Sequence, residues 1–252
     1  MDIVQAISTG IIQGATEFLP VSSSGHLFLA RNLFGLNFGT AYVILLHAGT
    51  LIAVFAFLWK EILNILKGMF KGSLDAWKLV FALIAGTVPA AVLGVTIEDF
   101  LEKSLTGNIT IGISLLLTGA LLFFSDGFKS EKRSINDIGI KLAFIIGLFQ
   151  AAAIVPGISR SGMTLFGALM LGVKREDAFR FSFLLSIPVI LGGTLLDISD
   201  ITGVENGLWG FLFAIAVGFV SLWILRILTR AKKLKYFAFY CWLAGILSIF
   251  IL

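Results

Sequence analysis

The sequence predicts an all-α integral membrane protein arranged as an inverted repeat, each half a re-entrant helical hairpin followed by three transmembrane helices. Three observations predict it. The chain is 58% hydrophobic and only 13% charged, with 24 Phe and a mean hydropathy of +1.00 over 252 residues, which excludes a soluble domain. Its apolar runs are either unbroken stretches near the roughly 20 residues that a helical span needs, or longer stretches cut centrally by Pro and a Ser/Gly cluster. Its basic residues gather in four loops, which share one side of the bilayer only if both broken stretches return to the side they left.

The first broken stretch covers 2–34 and is interrupted from Pro20 to Gly25; the second covers 137–172 and is interrupted from Pro156 to Gly162. Backbone that leaves the helix at membrane depth is tolerated only inside protein or beside a cavity, so each reads as a helix–break–helix hairpin. The unbroken runs predict spans over 40–59, 78–97 and 108–125 after the first hairpin, and over 180–196, 207–226 and 236–252 after the second. Lys60, Lys67, Lys71 and Lys78 bracket one loop, and Lys129, Lys132, Arg133 and Lys141 another. Lys174, Arg175 and Arg180 follow the second hairpin, and Arg226, Arg230, Lys232, Lys233 and Lys235 precede the last span. An excess of Lys and Arg marks the cytoplasmic side, which places both termini outside the cell membrane. The opposite loops carry Glu98, Asp99, Glu102 and Lys103, then Asp197, Asp200 and Glu205.

Gly10, Gln13, Ser22, Ser24 and Gly25 align without gaps to Gly147, Gln150, Ser159, Ser161 and Gly162. A single membrane domain therefore divides into a first repeat, 1–125, and a second, inverted one, 126–252, whose helix breaks meet near the midplane. The formal charge of +4 is accounted for by membrane orientation, and nucleic acid is not an expected partner. The one cysteine, Cys241, rules out an intramolecular disulfide and a Cys cluster for metal. Asp2 stands where a signal peptide would be basic, and no small-residue cleavage site follows, so no cleavable signal peptide is expected.

Arg160 is the most telling residue. A charged side chain at membrane depth costs about 2.5–3.5 kcal/mol on insertion scales, and such residues face a partner or a ligand. A guanidinium among Ser159, Ser161 and Gly157 suits phosphate oxygens, which it can grip with two parallel hydrogen bonds. Serines at the start of each second half-helix are good caps, and helix N-termini attract anions, so two of them beside Arg160 make a pyrophosphate pocket. Gly14 and Gly25 can equally be packing devices between close helices. Gln13 and Glu17 share a helix face, and Ser23 and His26 neighbour each other on the next half-helix. Serine, histidine and a nearby carboxylate are the parts of an activated nucleophile. His26 bonded to a carbonyl and Glu17 paired with Arg160 are the structural alternatives. His47 has no acid or serine cluster beside it in sequence and reads as a helix-contact histidine.

The run QGATEFLPVSSSGH (13–26) together with PGISRSGMT (156–164) resembles the bacitracin-resistance family of undecaprenyl-pyrophosphate phosphatases. That family shows a (Glu/Gln)-x-x-x-Glu motif, a Ser-Ser-x-Gly-His run and a Pro-Gly-x-Ser-Arg-Ser-x-x-Thr motif, all present here in order. The resemblance implies a membrane enzyme that removes one phosphate from a C55 isoprenyl pyrophosphate at the outer face, with Mg²⁺ or Ca²⁺ as cofactor. Residue by residue it implies Glu17 as the second acid, Ser22 and Ser23 as the serine pair, and His26 as the histidine. It matches Ser159, Arg160, Ser161 and Thr164 to the second motif. Ser23, His26, Glu17 and Arg160 are then the catalytic candidates. Arg160, Ser22, Ser24, Ser159, Ser161, Gly157 and Thr164 are the candidates for phosphate, and Glu17 and Gln13 for the cation. Gln13 stands where many members carry Glu, which weakens a purely protein-held metal site. The expected partners are a polyprenyl pyrophosphate and the bilayer, with a homodimer left open. A lipid flippase or secondary transporter is the competing reading, since inverted repeats and midplane breaks also serve transport, which needs no nucleophile.

Overall fold

The computed structural model describes residues 1–128, 132–196 and 205–250, with the side chains of 98–103 and 196 outside that description. The described residues form eleven α-helices and a one-turn 3₁₀ helix, Ile135–Asp137. The first broken stretch is α1 (Ile3–Phe18) and α2 (Ser23–Phe34); the second is α7 (Ile140–Ala152) and α8 (Arg160–Met170). The six predicted spans are α3 (Thr40–Phe57), α5 (Leu74–Leu105), α6 (Asn108–Ser125), α9 (Arg175–Leu196), α10 (Gly207–Arg230) and α11 (Lys235–Phe250). All but α11, which has 16 described residues, are long and apolar enough to cross a membrane. The predicted charges at Lys129, Asp197 and Asp200, and the side chains of Glu98, Asp99, Glu102 and Lys103, lie outside the described residues.

Two differences from the sequence reading concern helical residues outside the apolar runs. α4 (Trp59–Phe70) is an additional helix inside what reads as a basic loop, and α5 and α9 start before their apolar runs do. Ser73 caps α5 by accepting from Ala76 N at 3.4 Å, and Glu176 and Asp177 occupy the first turn of α9. Caps and acidic first-turn residues carry a helix out past its apolar segment, so hydropathy alone sets such boundaries too short.

Packing follows the small residues. α1 lies along α10 and α7 along α5, while α6 pairs with α11 and α3 with α10. At the first crossing a Cβ on Gly10 would come within 2.3 Å of the Gly210 carbonyl oxygen, and at the second a Cβ on Gly147 within 2.3 Å of that of Gly86. Without a water-driven hydrophobic force between helices, such close backbone approach is what holds membrane bundles together. Phe18, Phe179 and Phe183 fill the centre, with ring centroids 5.7 Å apart for Phe18–Phe183 and 4.7 Å for Phe179–Phe183.

Polar contacts define two ends. At one, Arg133 N donates to Gly172 O at 3.0 Å, and Lys174 N returns to Arg133 O at 2.9 Å. Lys235 N donates to Asp126 at 2.9 Å, Arg175 is bonded to the Ser125 carbonyl, and Glu176 holds Arg226 and Arg230. At the other, Asn206 donates to the Met1 carbonyl, Asn32 to Asn108, and Ser248 to the Asn108 carbonyl. The outer limits of the α7–α8 pair, Ser134–Gly139 and Gly172–Lys174, thus lie at one end.

Candidate active site

Four side chains converge on Glu17, a 7%-exposed carboxylate in the last turn of α1. Ser23, the first residue of α2, donates its hydroxyl to Oε2 at 2.6 Å, and Gln13, one turn back on α1, donates Nε2 to the same oxygen at 3.0 Å. The guanidinium of Arg160, the first residue of α8, pairs with Oε1. His47 on α3 brings Nε2 to 3.5 Å of Oε2. A carboxylate at this depth is costly unless compensated, and these partners compensate it.

The two breaks that deliver Ser23 and Arg160 are built alike. Ser22 caps α2 by accepting from Gly25 N at 3.3 Å, and Ser159 caps α8 by accepting from Gly162 N at 3.2 Å. Ser22 Oγ lies 3.2 Å from Ser24 Oγ, and Ser159 Oγ lies 3.2 Å from Ser161 Oγ. The backbones differ. Ser22 itself takes φ 71°, whereas in the second break the left-handed residue is Gly157, at φ 89°. A Cβ at Gly157 would meet Ser114 Cβ at 2.8 Å, so glycine is required there on both counts. The breaks touch: Gly157 N donates to Ser24 Oγ at 3.3 Å, and a Cβ on Gly162 would lie 3.4 Å from Pro20. Two helix N-termini, each with a partial positive charge, therefore sit side by side next to Arg160.

Which groups are already engaged decides what the site can do. Thr164 is bonded to the Arg160 carbonyl at 3.0 Å and to Ser182, and Ser159 and Ser161 are buried and paired with each other. Ser23 is half-buried and Ser24 exposed, so theirs are the accessible hydroxyls. Among the described residues, Arg160 Nη1 and Gln13 Oε1 are buried atoms with no partner, a spare donor and a spare acceptor flanking Glu17.

Ser23 and His26 are neighbours in sequence but not bonded partners. His26 Nδ1 lies 2.7 Å from the Ser22 carbonyl, and Nε2 2.7 Å from the hydroxyl of Tyr240 on α11. The Glu17–Arg160 pair and the carbonyl-bonded His26 are the arrangements weighed above as structural alternatives. His47 corrects the sequence reading: it has an acid beside it, but that acid is on another helix, where no local spacing reveals it. Tyr240 was not singled out either, since a tyrosine in an apolar span carries no signal by itself.

No three His, Cys, Asp or Glu side chains cluster for a metal among the described residues. Glu17 and the unpartnered oxygen of Gln13 nonetheless fit a hard cation that brings its other oxygen ligands on a phosphorylated substrate.

The apolar helices and the enclosed carboxylate, serine and arginine define the class: a multi-pass membrane protein with an anion-directed site among its helices. Within that class the chain belongs to the family of the bacitracin resistance protein BacA, whose family model matches residues 6–247. It is 46% identical over 245 residues to the undecaprenyl-diphosphatase of Thermosipho africanus, covering 97% of this chain and 98% of that protein. It is 42% identical over 247 residues to the undecaprenyl-diphosphatase of Methanococcus vannielii, with 98% and 99% covered. With that of Methanosphaera stadtmanae the identity is 38% over 269 residues, with 99% and 98% covered.

Proposed function

We propose that the protein is a membrane phosphatase that hydrolyses undecaprenyl or a related polyprenyl pyrophosphate to the monophosphate and inorganic phosphate. It thereby recycles the lipid carrier of cell-wall synthesis and confers bacitracin resistance. One observation carries this reading: the Ser23 hydroxyl is bonded to Glu17 at 2.6 Å, beside an arginine with an unpartnered guanidinium nitrogen. A binding or transport site has no use for a serine aimed at a base.

The chemistry follows from these groups. Arg160 Nη1 and the N–H groups of the two half-helix starts hold the terminal phosphate, where charge develops in the transition state. Ser23 Oγ attacks the terminal phosphorus and its proton passes to Glu17 Oε2. The bond to the bridging oxygen breaks, and its electron pair leaves with the prenyl monophosphate. Water then attacks the phosphoseryl group with His26 Nε2 taking its proton, and Ser23 Oγ recovers a proton from Glu17. Mg²⁺ or Ca²⁺, held by Glu17 and Gln13 Oε1, would neutralise charge on the pyrophosphate.

In the same proposal α1–α2 and α7–α8 are re-entrant hairpins, and 1–125 and 126–252 are inverted repeats. The matched caps and the matched glycine crossings support it. So does the pairing of Arg133 with Gly172 and Val173, which puts the two ends of the second hairpin together. The basic end is then cytoplasmic, both termini are outside, and the site opens outward. Purified protein in detergent should release inorganic phosphate from polyprenyl pyrophosphate. Binding of the lipid without phosphate release would favour the transport reading instead.

A further inference from the structure

The imidazole of His26 is held from two directions. Its Nδ1 lies 2.7 Å from the carbonyl of Ser22, and a carbonyl only accepts, so Nδ1 carries the proton. Nε2 is then the lone-pair nitrogen, and the Tyr240 hydroxyl 2.7 Å away is its donor. The two rings also stack, with centroids 5.5 Å apart and planes 11° from parallel. The carbonyl thus selects the tautomer, while the Tyr240 hydroxyl and ring fix the orientation of the imidazole. Tyr240 is not filling the core: it is 47% exposed, whereas its neighbour Cys241 is fully buried. Its anchor on the other side is firm, because Ser22 is held at φ 71° by the turn that starts α2.

We infer that Tyr240 is a positioning residue for the reaction, holding the imidazole of His26 by its hydroxyl and ring so that Nε2 presents its lone pair to the water that hydrolyses the phosphoseryl group. This rests on the hydrolase reading above. The incoming water enters between the two groups, donating to Nε2 and accepting from the Tyr240 hydroxyl, and the stacked ring keeps the imidazole in plane while it does so. α11 therefore completes a site whose other members lie on α1, α2, α3 and α8.

Tyr240→Phe tests this, since it keeps the stack and the apolar surface and removes only the donor. The expected result is a kcat lowered by about tenfold, the scale of one lost hydrogen bond, with KM within about twofold of wild type. In a His26→Ala background the same change should cost nothing further. Nitrogen-15 NMR of labelled His26 should report a protonated Nδ1 in both proteins, with the Nε2 resonance shifted in Tyr240→Phe by the loss of its donor. A kcat within about twofold of wild type, or the same fractional loss with and without His26, overturns the inference; a variant that merely folds poorly would lose activity equally in both backgrounds. Wild-type protein that releases no phosphate overturns the hydrolase reading itself, a different failure from an active wild type matched by Tyr240→Phe.

Discussion

Arg160 gives one guanidinium nitrogen to Glu17 and keeps another buried without a partner, an arrangement that only a forked, permanently charged group can supply. Lysine concentrates its charge and donors at one nitrogen and cannot present a rigid planar fork between the carboxylate and a phosphate. Arg160→Lys should therefore fold but lose about 10²–10³ in kcat, the usual cost of removing transition-state charge stabilisation, measured as phosphate release. Ser23 and Ser22 should separate cleanly. Ser23→Ala removes the hydroxyl on Glu17 and should abolish turnover while lipid binding persists. Ser22→Ala removes the α2 cap and should chiefly lower stability, by about 1 kcal/mol, read from thermal unfolding in detergent. A Ser23→Ala variant with robust turnover would move the nucleophile to water or to His26. Residue types were legible here where charge and hydroxyls interrupt apolar sequence, as at Glu17, Ser23 and Arg160. Their pairing was not. Helical side chains lean towards the N-terminus, so His26 reaches back to the Ser22 carbonyl, while Ser23, at the very start of the helix, reaches Glu17 instead.

Helices meet where glycine lets them, and the two closest crossings use aligned positions, Gly10 against Gly210 and Gly147 against Gly86. An added methyl at either Gly10 or Gly147 would sit 2.3 Å from a backbone oxygen, which no side-chain adjustment relieves. Gly10→Ala and Gly147→Ala should each destabilise the protein by about 1–3 kcal/mol, the range for overpacking, and lower its Tm in detergent. Gly193 in α9 meets nothing within 4 Å, so Gly193→Ala should be neutral or, because Ala favours helix by about 1 kcal/mol, slightly stabilising. Equal Tm values for all three variants would mean that these crossings do not carry the packing. The spans and both breaks could be read from hydropathy and from the Pro/Ser/Gly clusters, since those reflect local preference and the bilayer. α4 could not, because a mixed helix between two spans has neither the length nor the apolarity that marks a span.

Among the described residues, several helix ends are tied together by ion pairs and hydrogen bonds at one, Lys- and Arg-rich, end of the molecule. Arg175, bonded to the Ser125 carbonyl, and Glu176, holding Arg226 and Arg230, tie the starts and finishes of α6, α9 and α10 together at the basic end. Lys235 N on Asp126 adds α11, and the Arg133–Gly172 bonds add both limits of the α7–α8 hairpin. A single crossing would separate two such limits by the roughly 30 Å hydrocarbon core, so the backbone bonds between them support the proposed re-entrant reading. The same geometry makes orientation testable in intact cells. With Cys241 replaced by Ser, which can still donate to the Pro20 carbonyl, a cysteine at Ser104 should react with an impermeant thiol reagent added outside. Cysteines at Ser73 and Ser134 should react only after the membrane is permeabilised, on the proposal that the Lys- and Arg-rich end faces the cytoplasm. Labelling of position 134 from outside, with position 104 protected, would invert the whole orientation and place the mouth of the site on the cytoplasmic face. Labelling of both from outside would mean that α6, which lies between the two positions, does not cross the bilayer, and the proposed order of spans would fall.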